Sequence, residues 1–340
     1  MHAFYLHGAK DLRPADINPP ELSADQVLVR ICATGICGSD LHYYEHGRNG
    51  DFVPARPFIL GHESAGEVVD AGAFADSLPV GTRVAVDPAH PCKACTYCVD
   101  GRYNLCPQMR YYGSAASTPP FDGTFRQLAP ALAAGCHPIP DNLDYRQAAL
   151  LEPLAVALQA VKRADGVAGK RVLVCGAGPI GQLVGLVVRH YGAARTFVSD
   201  LRPSALALAT DTWADGAVRA DEPGQLAQVA SAGIDLVIEA SGAPPALRVA
   251  YECCSPGGTI VQLGTQPAEV SLPVNLVMAK ELTLRGSFRF AHVFAQGLDL
   301  LTQQRIDLRP LITHSFALDD LVAGMETAAR SDSIKVVVDY

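Results

Sequence analysis

Short apolar runs split by glycine and proline fill the first part of the chain, as in Gln26-Val27-Leu28-Val29-Arg30-Ile31 and Gly66-Glu67-Val68-Val69. Runs of that length between turn residues predict a β-rich, barrel-like domain over residues 1–147. From Gln147 the period changes. An apolar stretch to Arg163 predicts a helix, Arg171-Val172-Leu173-Val174-Cys175 a buried strand, and residues 180–191 another helix. Further strands are expected at 196–199, 235–239, 259–263 and 282–285, with helices near 203–212 and 244–254. Alternation of this kind calls for a doubly wound parallel sheet over 148–286, so the fold class is α/β. Residues 287–340 predict a helix near 292–303, another near 318–329 and a last strand, Lys335-Val336-Val337-Val338, expected to return to the first domain. No internal repeat is evident.

Composition narrows the class. The 340 residues are 49% hydrophobic and 18% charged, which suits a globular protein with more than one core. A formal net charge of -8 without a dense Lys/Arg run argues against a nucleic-acid partner. The N-terminus, Met1-His2-Ala3-Phe4-Tyr5-Leu6-His7-Gly8, lacks a basic segment followed by a long apolar one, so no export signal is read and a cytoplasmic location is expected. The longest apolar stretch, 172–188, is broken by Gly176, Gly178, Pro179 and Gly181, and reads as strand, turn and helix rather than a membrane span.

Chemistry concentrates in three places. Cys92, Cys95, Cys98 and Cys106 have the spacing of a tetrahedral thiolate site over 92–106, which would hold a structural zinc with no open position. The alternative, a disulfide cluster, requires an oxidising compartment. Of the ten cysteines, Cys32, Cys136, Cys175, Cys253 and Cys254 are left as buried hydrophobes.

Gly176-Ala177-Gly178-Pro179-Ile180-Gly181 lies between a predicted strand and a predicted helix, the context that gives a dinucleotide-binding turn its meaning. The first glycine permits the turn, the second admits a pyrophosphate, and the third lets helix approach strand, with helix N-terminal amides facing the anion. Asp200, at the end of the next strand, suits the ribose hydroxyls of NAD. Arg202 favours a 2′-phosphate instead, so NADP stands as the alternative.

The third place is Gly35-Ile36-Cys37-Gly38-Ser39-Asp40-Leu41-His42 together with Gly61-His62-Glu63, a thiolate, an imidazole and a carboxylate. A lone buried Cys or His is more often core than ligand, so these residues count only in company. With the cysteine lobe, the glycine turn, Leu151-Glu152-Pro153-Leu154-Ala155 and Arg285-Gly286-Ser287-Phe288-Arg289-Phe290, the chain resembles the zinc-dependent medium-chain dehydrogenases over essentially its full length.

The resemblance implies a GroES-like catalytic domain joined to a Rossmann domain, with a second, catalytic zinc in the cleft between them. Cys37 and His62 match the family's zinc ligands, and the third ligand is either Glu63 or Glu152. Alcohol dehydrogenases carry a cysteine where this chain has Glu152; the polyol branch carries glutamate there. The implied reaction moves a hydride from a hydroxyl-bearing carbon to NAD(P), with the proton leaving through Ser39 and His42 and with Asp40 orienting His62. A non-catalytic NAD-binding or redox-sensing protein is the reading from another class.

For substrate, His42-Tyr43-Tyr44-Glu45-His46-Gly47-Arg48-Asn49-Gly50 looks like the segment of sorbitol, xylitol and idonate dehydrogenases. Met109 to Ala115, Arg285 to Phe290 and Arg309 to His314 are similar to L-idonate 5-dehydrogenases. A sugar acid is the expected substrate class, a sorbitol- or xylitol-type polyol the alternative. Tyr43 is a candidate substrate residue, and Arg110 or Arg289 a candidate partner for a carboxylate. Relatives form dimers or tetramers, and the strand at 258–263 with the segment after it is a candidate for pairing between subunits.

Overall fold

The computed structural model describes residues 1–340, which divide into two compact units, Met1–Glu152 with Phe294–Tyr340, and Pro153–Val293. The first unit begins with an antiparallel hairpin, β1 (His2–Gly8) and β2 (Asp11–Asp16), followed by β3 (Gln26–Gly35). Cys37 then caps helix α1 (Gly38–His46). No helix was expected there, because its sequence carries no apolar stripe. It forms because the Asp40 carboxylate accepts the Cys37 N–H at 3.0 Å while Tyr43 and Tyr44 are buried, and Gly47, at φ +68°, ends it.

Short strands follow: β4 (Phe58–Ile59), β5 (Glu63–Asp70), β6 (Arg83–Val86) and β7 (Ala89–His90). Helix α2 (Thr96–Val99) lies in the cysteine lobe, and β8 (Arg110–Tyr111) pairs with β7 to close it. Then come β9 (Leu128–Leu132), β10 (Cys136–Pro138) and α3 (Tyr145–Ala149), whose N-cap Asp144 accepts from Gln147 N at 2.8 Å. The single helix expected up to Arg163 is two: α3 stops at Leu150 and α4 (Leu151–Arg163) begins.

The second unit alternates strand and helix: β11 (Arg171–Cys175), α5 (Pro179–His190), β12 (Arg195–Asp200), α6 (Pro203–Thr212), β13 (Gly216–Arg219), α7 (Pro223–Ser231), β14 (Ile234–Glu239), α8 (Pro244–Cys253), β15 (Cys254–Gln262), α9 (Val274–Ala279) and β16 (Thr283–Gly286). Its six strands are all parallel, in the order β13-β12-β11-β14-β15-β16. Four of its helices, α5 to α8, start on proline, whose fixed φ suits the first helical position and whose missing N–H costs nothing there. The Lys280 ammonium donates to the Tyr251, Glu252 and Cys254 carbonyls at the C-terminal end of α8. The strand at 258–263 is not free to pair between subunits, since β15 has β14 on one side and β16 on the other; the unpaired edges belong to β13 and β16.

The chain ends back in the first unit with α10 (Phe294–Thr302), β17 (Ile312–Ala317), α11 (Leu321–Ala328) and β18 (Lys335–Asp339). β18 sits inside the seven-stranded sheet, antiparallel to β3 and parallel to β17. Its Val336 and Val338 join Leu6, Phe58, Tyr43 and Phe125 in the core. No helix is long and apolar enough to cross a membrane.

Candidate active site

All ten cysteines are free, and Cys92, Cys95, Cys98 and Cys106 bring their sulfurs within 4.8 Å of one another. Backbone N–H groups of Ala94 and Cys95 pull the Cys92 thiol down to about 6. Four converging sulfurs, one already biased to thiolate, fit zinc with no further ligand. The lobe packs on a small cluster of Ala89, Met109 and Tyr111.

The second group forms where two segments meet. Cys37 ends the turn after β3, and His62 and Glu63 open β5; their donor atoms also lie within 4.8 Å of one another. His62 Nδ1 and Glu63 Oε1 are buried without a hydrogen bond, and Glu63 Oε2 has only the Lys335 ammonium beside it. Orphaned donor atoms of this kind, beside a thiol, fit a metal ion. Burial acts against a charged His62, yet the anionic surroundings of Asp40 and Cys37 outweigh it and raise its pKa well above the ordinary imidazole value. The pocket thus favours positive charge.

Asp40 is fully buried and pinned by the N–H groups of Cys37, at 3.0 Å, and Gly61, at 3.1 Å. Its Oδ1 lies 3.7 Å from His62 Nδ1, close enough to act on its charge but too far for a hydrogen bond.

Glu152 stands apart from the three-residue group. Its Oε1 accepts from the Tyr111 hydroxyl at 2.6 Å, and burial raises its pKa to about 7. The Tyr111 ring is edge-on to His62, with centroids 5.8 Å apart. Sequence reasoning also missed Lys335, buried at 3% exposure, which forms an ion pair with Glu63 and donates to the Ile36 carbonyl at 2.9 Å. Gly35 gives this pair its room: a Cβ there would lie 2.0 Å from Glu63 Oε2 and 3.0 Å from Lys335 Cε.

Two expected substrate residues are corrected. Tyr43 is 1% exposed, packs edge-on against Phe58 and uses its hydroxyl to accept the Ala115 N–H at 2.9 Å, so it is core. Arg110 follows the alternation of β8: Tyr111 turns towards His62, and Arg110 turns the other way, with its guanidinium 4.1 Å from the Phe121 ring centroid. Arg289, in the second unit, has φ +49° and its guanidinium 4.7 Å from the Phe288 ring centroid. Ser39 and His42 lie three residues apart on α1, with Ser39 half-buried and His42 exposed.

In the second unit the glycine turn joins β11 to α5. Gly176 has φ +97°, and a Cβ there would strike Ser241; a Cβ on Gly181 would lie 1.8 Å from the Gly176 carbonyl oxygen. Beside Gly178 only the Arg202 guanidinium comes near, at 3.5 Å, so the turn keeps an open cradle fit for a pyrophosphate. Pro179 and Ile180 open α5. The Asp200 carboxylate accepts from Ala177 N at 2.6 Å and from Arg202 N at 2.8 Å and Nε at 3.2 Å. Burial raises its pKa, but these bonds outweigh burial and hold it below the ordinary value.

Residues 23–141 match the alcohol dehydrogenase GroES-like domain, and residues 179–303 match the zinc-binding dehydrogenase domain. Sorbitol dehydrogenase of Rattus norvegicus is 36% identical over 339 residues, covering 98% of this chain and 94% of that protein. D-xylulose reductase of Saccharomyces cerevisiae is 37% identical over 351 residues, covering 100% and 98%. The crystal structure of L-idonate 5-dehydrogenase from Escherichia coli has a TM-score of 0.91 to this fold at 33% identity, covering 100% of this chain and 98% of that one. Matches that span both units, together with a closed thiolate quartet and a separate Cys-His-Glu group, show that the chain belongs to the zinc-dependent medium-chain dehydrogenases, in their polyol dehydrogenase branch.

Proposed function

We propose that the chain oxidises a secondary hydroxyl of a neutral polyol of the sorbitol or xylitol type, with NAD as hydride acceptor. The observation that carries the choice of a neutral substrate is the outward course of Arg110. The cation expected to receive a sugar acid's carboxylate lies over Phe121, on the opposite side of β8 from Tyr111 and His62. The relatives named for sorbitol and xylulose, at 36% and 37% identity, support the same reading. Oxidation of L-idonate is the second reading, favoured by the 33% identical solved structure of that name.

Cys37, His62 and Glu63 would hold the catalytic zinc, which when bound lowers the pKa of a substrate hydroxyl towards neutrality. Asp40 fixes the turn that carries Cys37 and lies beside His62, and Lys335 holds the Glu63 carboxylate in place. Glu152, held by Tyr111, adds a nearby carboxylate. Ser39 and His42 occupy one face of α1, and His42 reaches solvent, which suits them to pass the substrate proton outward. In the second unit the glycine turn would hold the pyrophosphate of NAD, and Asp200 would accept from the ribose hydroxyls and repel a 2′-phosphate. The open edge of β16, with Leu284 46% exposed, supports self-association of the second unit, which light scattering of the purified chain would report.

A steady-state comparison of sorbitol, xylitol, L-idonate and D-gluconate, each with NAD and NADP, tests the assignment. A kcat/KM for either polyol above that for both acids supports it. Preference for L-idonate would replace it with the second reading, and no turnover on any of the four would overturn both.

A further inference from the structure

Beside the proton route through Ser39 and His42, helix α1 carries a second histidine that the hydride transfer leaves unused. His42 and His46 lie one turn apart within the sequence His42-Tyr43-Tyr44-Glu45-His46, and both are exposed. Residues four apart on a helix share a face, and two histidines so placed are the chelating half of helical zinc motifs. Here their ring centroids are 6.0 Å apart and tilted by 36°. Two imidazoles bound to one ion at ordinary metal–nitrogen distances need little more than a rotamer adjustment from there.

The helix under them is fixed. Tyr43 and Tyr44 are buried on its inner face, and Asp40 anchors its first turn to Cys37 and Gly61. The chelate therefore has little backbone freedom to lose on binding. Partial desolvation, with the neighbouring His46, lowers the pKa of His42 and keeps its nitrogens available at neutral pH. Glu45 lies between the two histidines in sequence but is paired with Lys10 at 3.0 Å, and Arg48 beyond them is 3.5 Å from Asp51. The imidazole pair thus stands among charges that are already compensated.

We propose that His42 and His46 form an exchangeable bidentate site for a borderline transition-metal ion such as Zn²⁺ or Ni²⁺, separate from the two resident zinc groups, and that its occupation blocks proton transfer through His42. The coordination sphere is completed by water. The inhibitory half of this proposal rests on the reading of His42 as the proton carrier; the binding half does not.

The test uses tag-free protein carrying its resident zinc, titrated with NiCl₂ in a calorimeter while zinc content is followed by elemental analysis. Wild type is expected to bind one saturable equivalent of Ni²⁺ per chain with no loss of zinc. His46→Ala is expected to bind it at least about tenfold more weakly while keeping its basal kcat/KM. Absence of a saturable equivalent in wild type, or unchanged binding in His46→Ala, overturns the site. Saturating Ni²⁺ is expected to lower wild-type turnover several-fold and to leave His46→Ala unaffected. Inhibition of equal size in both overturns the proposed block. Binding that depends on His46 without any loss of turnover supports the metal site and overturns His42 as the proton carrier.

Discussion

The Tyr111 hydroxyl donates a 2.6 Å hydrogen bond to Oε1 of the buried Glu152. The same tyrosine packs with Ala89 and Met109 beneath the cysteine lobe and sets its ring edge against His62. In Tyr111→Phe a buried carboxyl loses its donor while the packing stays. We expect a loss of about 1–3 kcal/mol in stability, the usual cost of leaving a buried acceptor unsatisfied. Urea unfolding checks this, and an unchanged midpoint would show that the bond contributes nothing net.

Gly35→Ala puts a methyl group onto the Glu63 carboxylate. The expected outcome is loss of one zinc of the two per chain, with at least about a tenfold fall in kcat/KM, as when groups supporting metal ligands are disturbed. Elemental analysis reads it directly. Two zincs and full turnover in the variant would mean that the loop carrying Glu63 moves aside freely.

Lys335→Met removes the only cation paired with Glu63. Stripping one partner from a buried ion pair costs about 3–5 kcal/mol. The loss should be largest after chelation of zinc and smaller in the zinc-loaded protein, where the ion itself compensates the carboxylate. Paired denaturation curves with and without chelator test this, and equal losses in the two would contradict it.

Asp200→Ala should trade cofactor preference. With the carboxylate gone, the Arg202 guanidinium no longer faces an anion at this position, and a 2′-phosphate can take the carboxylate's place. We expect KM for NAD to rise about tenfold, equivalent to roughly 1.4 kcal/mol, and KM for NADP to fall. Parallel kinetics with both cofactors decide the matter, and a preference that does not move would remove Asp200 from the specificity argument.

Burial lowers the pKa of His137, whose ring packs 4.6 Å from that of Phe294. Because the folded value lies below the unfolded 6.5, the contribution is complete above that pH and drains away as pH falls below it. His137→Leu should flatten the acid side of the stability curve between neutral pH and the onset of carboxylate titration. Thermal midpoints across that range would reveal it; a slope identical to wild type would rule the residue out.

The patterns that could be read in advance were local ones. The cysteine lobe and the glycine turn each lie within a short segment, so spacing alone conveys their chemistry. The parallel strands β11, β12, β14 and β15 announce themselves as apolar runs. β13 does not, because it is four residues at a sheet edge with Val218 alone buried. α9 is six residues long and rests only Leu276 and Val277 partly against the core, too short to show a period. α7 left one signal, Pro223 at its first position.

The site had the same limit. Lys335 and Gly35 matter because β18 and β3 are neighbours, a pairing that no window of sequence displays. Tyr43 looked like a substrate group because a tyrosine in a polar segment gives no sign of being buried. Arg110 was read without the strand alternation that turns it from its neighbour.

β18 is an interior strand contributed by residues 335–339, long after β3 in the chain. On the ribosome, β3 and β17 emerge with a gap between them, and Glu63 waits for its counter-ion until Lys335 has been made. The first unit is therefore obliged to mature after the second has been made, and a nascent chain halted before Lys335 presents two open sheet edges to the chaperone machinery.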